Sequence, residues 1–174
     1  MVVTYPSSVL LKACEFWKSS VIDPYRHQRL VNDMRAVCAF YNGQGLAANQ
    51  IGVLKRVILY QDNQGELQSL TNPEILEFGS EKATTAEGCL SLPGLQVQIA
   101  RPTEITVTGL NEQLLQVTMI AEGREARAIQ HEIDHLDGKL ITDHQGSLNR
   151  KMLLDKWMKK TNKFRRISRQ KLAA

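Results

Sequence analysis

At 174 residues, 43% of them hydrophobic and 23% charged, the chain is sized for one domain around a single core and has an ordinary globular composition. No run approaches the roughly 18 apolar residues of a membrane span, and no basic segment followed by an apolar one opens the chain as in a signal peptide. Three cysteines (Cys14, Cys38 and Cys89) are too few, and odd in number, for a disulfide framework, so a cytoplasmic protein with reduced thiols is expected.

The net charge of +4 is unevenly spread. Residues 150–174 hold ten Lys/Arg against Asp155 alone, and the rest of the chain carries −5. Such a basic end marks either a solvated helix face or a polyanionic partner.

In chain order, Asp23-Pro24 opens the first helix, with Asp able to cap free amides and Pro suited to the first turn. Leu30, Met34, Val37, Cys38 and Tyr41 recur at helical spacing, and Asn42-Gly43 supplies the stop. A glycine-containing turn over 43–50 follows, then a strand over 56–60 and a turn over 62–65. Residues 79–95 read as a loop, and 96–100, 104–110 and 114–120 as strands, with a hairpin turn at 110–113. A second helix is predicted from Gly123 to Asp137, stopping at Gly138. A last helix over about 148–168 sets Leu148, Met152, Trp157, Met158, Phe164 and Ile167 on a basic background. Helix, strands, helix, helix is an α+β order.

The strongest chemical signal is His131-Glu132-Ile133-Asp134-His135. Residues four apart lie on one helix face, so the two imidazoles can reach one ion. Glu132, rotated about 100° from His131, can approach a water without occupying the coordination sphere. Ala126, Ile129, Ile133 and Leu136 form an apolar stripe nearly opposite the histidines. An exposed charged helix that happens to hold two histidines would show the same pattern. A catalytic site of this type needs a third protein ligand and an open position. Cys89 is the candidate, against the plainer reading of a small buried hydrophobe that suits Cys14 and Cys38.

With these residues in view, the sequence resembles the peptide deformylase family. Gly43-Gln44-Gly45-Leu46-Ala47-Ala48-Asn49-Gln50 is similar to its G-x-G-L-A-A-x-Q segment, Glu87-Gly88-Cys89-Leu90-Ser91 to E-G-C-L-S, and Gln130 to Leu136 to Q-H-E-x-D-H-L. Thr4-Tyr5-Pro6 through Leu10 resembles the family's first strand, so the likeness covers about residues 4 to 145.

The resemblance implies antiparallel β-sheets packed around a central metal-binding helix, with an N-terminal and a C-terminal helix. It implies a catalytic region over 1–147, with the basic helix and tail over 148–174 belonging to the same domain. It implies Cys89, His131 and His135 as metal ligands, Glu132 as general acid/base, and Gln50 with the Leu90 amide as holders of the formyl oxygen. Gly43, Gln44, Gly45, Glu87, Gly88, Arg124 and Arg127 would contact substrate.

The implied cofactor is one Fe²⁺, with Zn²⁺ or Ni²⁺ as substitutes, although thiolate ligation on affinity alone favours zinc. The implied reaction is removal of the N-formyl group from N-formylmethionyl nascent peptides by a monomer, with ribosomal RNA as a partner of the basic helix and no membrane. Two departures stand out. Gln44 takes a place usually aliphatic, and Arg124-Glu125 stand where the family commonly has two leucines, both near the expected side-chain pocket. The other readings are a metallopeptidase whose third ligand is downstream, with His144 in reach by sequence, and an inactive ribosome-binding relative.

Overall fold

The computed structural model describes residues 1–172, with side chains described through Asn162 apart from Ser19. It divides into two compact units, Met1–Leu140 and Ile141–Ala174. In the first, helix α1 (Pro24–Phe40) begins as the sequence dictates: the Asp23 carboxylate accepts from the Tyr25 and Arg26 amides, with Pro24 in the first turn. It ends where Asn42 enters the left-handed region at φ 51°. The buried stripe is His27, Val31, Met34 and Cys38, so the core face is turned from the one predicted, and Leu30 and Val37 flank it. His27 can serve as a core residue because its Nε2 and Thr71 Oγ1, 2.7 Å apart, satisfy each other.

Seven strands follow: β1 (Gly45–Ala47), β2 (Val57–Gln61), β3 (Leu67–Phe78), β4 (Lys82–Gly88), β5 (Gln96–Pro102), β6 (Glu104–Leu110) and β7 (Gln116–Glu122). Five make an antiparallel sheet in the order β1-β2-β3-β6-β7, and β4 pairs with β5 in a separate ribbon. Strand period two sorts β2 cleanly. Ile58 and Tyr60 join Leu70, Ile105 and Val107 in one core, while Val57 and Leu59 join Val31 and Met34 in the other. The hairpin predicted at 110–113 links β6 to β7, with Leu110 opposite Gln116.

Three readings are corrected. The turn over 43–50 contains β1, paired with β2 from Gly45↔Tyr60 to Ala47↔Ile58. The supposed loop over 79–95 contains all of β4, whose mostly exposed Lys82-Ala83-Thr84-Thr85 stretch shows no apolar alternation. The twelve-residue β3 has no clear sequence signature because Pro73 interrupts it, and its register with β6 shifts between Thr71 and Glu74.

Helix α2 (Gly123–Leu136) lays Ala126, Ile129, Ile133 and Leu136 into the first core, as the stripe predicted. Truncating such a fully buried leucine costs about 2–5 kcal/mol. Gly138 ends this segment at φ 73°, with a Cβ there only 2.8 Å from the Leu11 carbonyl oxygen, so glycine is required.

In the second unit a short 3₁₀ turn (Ile141–His144) precedes α3 (Ser147–Leu172), where Arg150 pairs with Asp143. Leu154 and Trp157 are buried, but Leu148 and Met152, predicted on the apolar stripe, are exposed. The predicted Phe164 and Ile167 contacts lie outside the described side chains.

Candidate metal centre

Helix α2 presents its histidine face to the end of the β4–β5 ribbon. Cys89 follows β4 directly, and its Sγ lies 3.1 Å from His135 Nε2. The ligand atoms of Cys89, His131 and His135 all lie within 4.8 Å of one another. Among the described residues this is the one group of His, Cys, Asp and Glu side chains so placed, and His144 is not in it. The two imidazole rings stand at 76° with centroids 5.0 Å apart.

The His131 position has a built support. His131 Nδ1 donates to Glu87 Oε2 at 3.0 Å, leaving Nε2 for the centre. Arg101 holds the same carboxylate through two bonds of 2.7 and 3.0 Å and reaches Asp134 at 2.8 Å. Arg127 adds 2.6 Å to Glu87 and donates to the Ala83 and Ile99 carbonyls. Burial works against the Glu87 charge, but the His131 and Arg101 bonds hold its carboxyl below the usual range. Burial likewise pushes the Cys89 thiol up, yet His135 and His131 outweigh it and bring the thiol well below its ordinary value. The cluster therefore favours a thiolate, the form that binds metal.

Glu132 is buried, and burial raises its carboxyl to about 7 against the lowering pull of His131 and His135. Its Oε2 has no hydrogen-bond partner among the described residues. Gly45 on β1 makes room for it: a Cβ there would fall 2.5 Å from Glu132 Oε1. A soft-plus-imidazole donor set, a hydrogen-bonded outer shell and an orphaned carboxylate oxygen together fit a divalent ion with an attached substrate.

On the other wall, the Gln50 side chain is fixed from both ends. Its Oε1 accepts from the Ala47 amide at 2.9 Å, and its Nε2 lies 3.1 Å from Ser91 Oγ and 3.6 Å from Cys89 Sγ. Ser91 is itself anchored by donating to the Val3 carbonyl at 2.8 Å. Among the described residues no acceptor takes the Leu90 amide.

A cleft of about 700 Å³ opens over the centre, lined by Gly43, Gln44, Gly45, Gly88, Leu90 and Arg124 among others. Glu87 and Arg127 also border it, but their charged ends are turned into the network beneath His131.

Arg101, Asp134, Ser91 and Val3 also support the site, and no sequence motif gives them a role. Arg101 carried a legible signal: it falls on the inward phase of β5 with Val97 and Ile99, where an arginine needs a buried acid. Ser91 and Val3 carried none, because they meet only through the fold.

An α+β chain that converges a thiolate and two imidazoles beside a buried carboxylate defines the class of metal-dependent hydrolases. Similarity to known proteins narrows it. The family model described as polypeptide deformylase matches residues 1–151. A peptide deformylase of Natranaerobius thermophilus is 47% identical over 68% of this chain and 76% of its own length. That of Aquifex aeolicus is 39% identical over 91% and 94%. The crystal structure of the Ehrlichia chaffeensis peptide deformylase superposes with a TM-score of 0.85 at 31% identity, covering 93% of this chain and 96% of that one. That of Legionella pneumophila gives 0.83 at 33%, covering 97% and 96%.

The chain belongs to the polypeptide deformylase family. It is a metal-dependent hydrolase that removes the N-formyl group from nascent peptides.

Proposed function

We propose that Cys89, His131 and His135 hold one divalent ion and that Glu132 is the general acid/base of formyl hydrolysis. The convergence of three ligand atoms within 4.8 Å beside an unpartnered buried carboxylate carries this reading. When bound, the ion lowers the pKa of water from 15.7 to about 7 and polarises the formyl oxygen. Glu132 accepts the proton of the attacking water and delivers it to the departing amine as formate leaves. Burial, which raises the Glu132 carboxyl above the ordinary carboxylate range, suits a group that both takes and returns a proton. Gln50 and Leu90 both line the cleft next to Cys89, and the Gln50 Nε2 and the Leu90 amide donate to the oxyanion as it forms. Losing one such donor typically costs about 100- to 1,000-fold in rate.

Strand β1 is at the edge of its sheet, so the chain of an extended peptide can lie along Gly43, Gln44 and Gly45. Gly88 at the end of β4 borders the opposite wall.

The ion in the cell is Fe²⁺, with Zn²⁺ or Ni²⁺ as substitutes, and the protein acts as a cytoplasmic monomer. A ferrous ion beside a thiolate is oxidation-prone, so aerobic preparations lose activity faster than anaerobic ones. No described helix is long and apolar enough to cross a membrane. Docking of α3 on ribosomal RNA rests on its charge alone, and co-sedimentation with ribosomes at two salt levels, with and without residues 160–174, tests it.

The central experiment is formate release from formyl-Met-Ala-Ala after metal loading. Separate replacement of Cys89 and His144, with bound metal measured, decides the third ligand: metal is lost with Cys89 and kept without His144. The reverse pattern favours the metallopeptidase reading.

A further inference from the structure

We infer that Arg124 makes this enzyme prefer formyl peptides with a carboxylate side chain at the third residue. The inference rests on the deformylase reading and extends it to sequence preference.

Among the charged side chains lining the cleft, Glu87 and Arg127 are bound to each other, and Glu132 is buried against Gly45. His131 is committed to Glu87. Arg124 lines the same cleft, is exposed, and has no hydrogen-bond or ion-pair partner among the described residues. Its neighbour Glu125 points elsewhere, accepting from Asn63 at 3.2 Å. Arg124 is therefore the one exposed charged side chain among the described lining residues, with the neutral Gln44 also on the lining. A peptide carboxylate would complement this site, and an ammonium would be repelled.

The register follows from spacing. Arg124 and His131 lie seven residues apart on α2, with Arg127 and Ala128 between them on the same face, so about 10 Å of helix separates them. In an extended peptide the first and third side chains share a side and lie about 7 Å apart. With the formyl group at the metal ligands, the third side chain comes within reach of the guanidinium. The second points away. An exposed pair of this kind contributes little, on the scale of two- to fivefold in affinity, and salt weakens it.

The test compares metal-loaded enzyme on formyl-Met-Ala-X peptide amides, with X as Glu, Ala or Lys, at low and high salt. The expected kcat/KM ratio of Glu to Lys is about two- to fivefold, expressed in KM, and smaller at high salt. In R124Q the ratio falls to near one, and in R124K part of it returns. Three results overturn the inference: a ratio of one in a wild type that turns over the Ala peptide, a ratio unchanged in R124Q, or a stronger preference when Glu is moved to the second residue. A wild type inactive on the Ala peptide refutes the deformylase reading itself, and this inference with it.

Discussion

At the residue scale, Glu132 and Gly45 form one device. The carboxylate needs room beside the proposed ligands, and the missing Cβ at Gly45 leaves that room. Glu132→Gln keeps the side-chain volume and should retain metal while losing about 100- to 10,000-fold in kcat. Steady-state kinetics with metal analysis checks it, and appreciable turnover would remove Glu132 from the chemistry. Gly45→Ala drives a methyl against Glu132 Oε1 or displaces the carboxylate. A misplacement near 1 Å costs on the order of 100-fold, so kcat should fall by about that factor while the circular dichroism spectrum is unchanged.

At the element scale, the β4–β5 ribbon delivers Cys89 and Glu87, and α2 delivers the two histidines. Glu87 ties the two together through His131. Glu87→Gln weakens that outer-shell bond and leaves Arg101 and Arg127 short of their acid, so metal affinity should drop about 10- to 100-fold in chelator competition. An unchanged affinity would show the imidazole to be fixed by packing alone.

The β6–β7 hairpin is pinned to α1 in a similar way. Glu112 in its turn accepts from Arg35 through two bonds of 2.6 Å and from Gln28 at 2.8 Å. The Arg35 bonds hold the Glu112 carboxyl at about 2, below its ordinary 4.5. A depressed carboxyl stabilises the fold above its unfolded pKa, and that contribution is lost as pH falls through the folded value. Wild type should therefore lose urea resistance between about pH 4.5 and 2 more steeply than Glu112→Gln, the two curves converging at the acid end. Parallel curves would show that the pair contributes nothing.

At the scale of the whole molecule, the proposed ligands come from two places 42 residues apart in the chain, so the proposed centre exists only in the folded state. An ion that binds only the folded form stabilises it by about 2.7 kcal/mol at a free concentration 100 times its Kd. Removing metal with a chelator should lower Tm by several degrees, and readdition should restore it. A Tm indifferent to metal would mean the centre is not coupled to folding.

The sequence by itself determined the helices and half the site. The α1 cap, the α2 stripe and the His131-Glu132-His135 face follow from local periodicity, because contacts one turn apart depend on nothing beyond the helix. The E-G-C-L-S and G-x-G-L-A-A-x-Q resemblances placed Cys89 and Gln50, but not what holds them. Only the tertiary structure decided that β4 is a strand, that Arg101 and Glu87 lock His131, and that Val3 braces Ser91 beneath Gln50. Each of these depends on a partner far along the chain. Their hydrogen bonds are set by sheet register and burial, which no local pattern of side chains encodes.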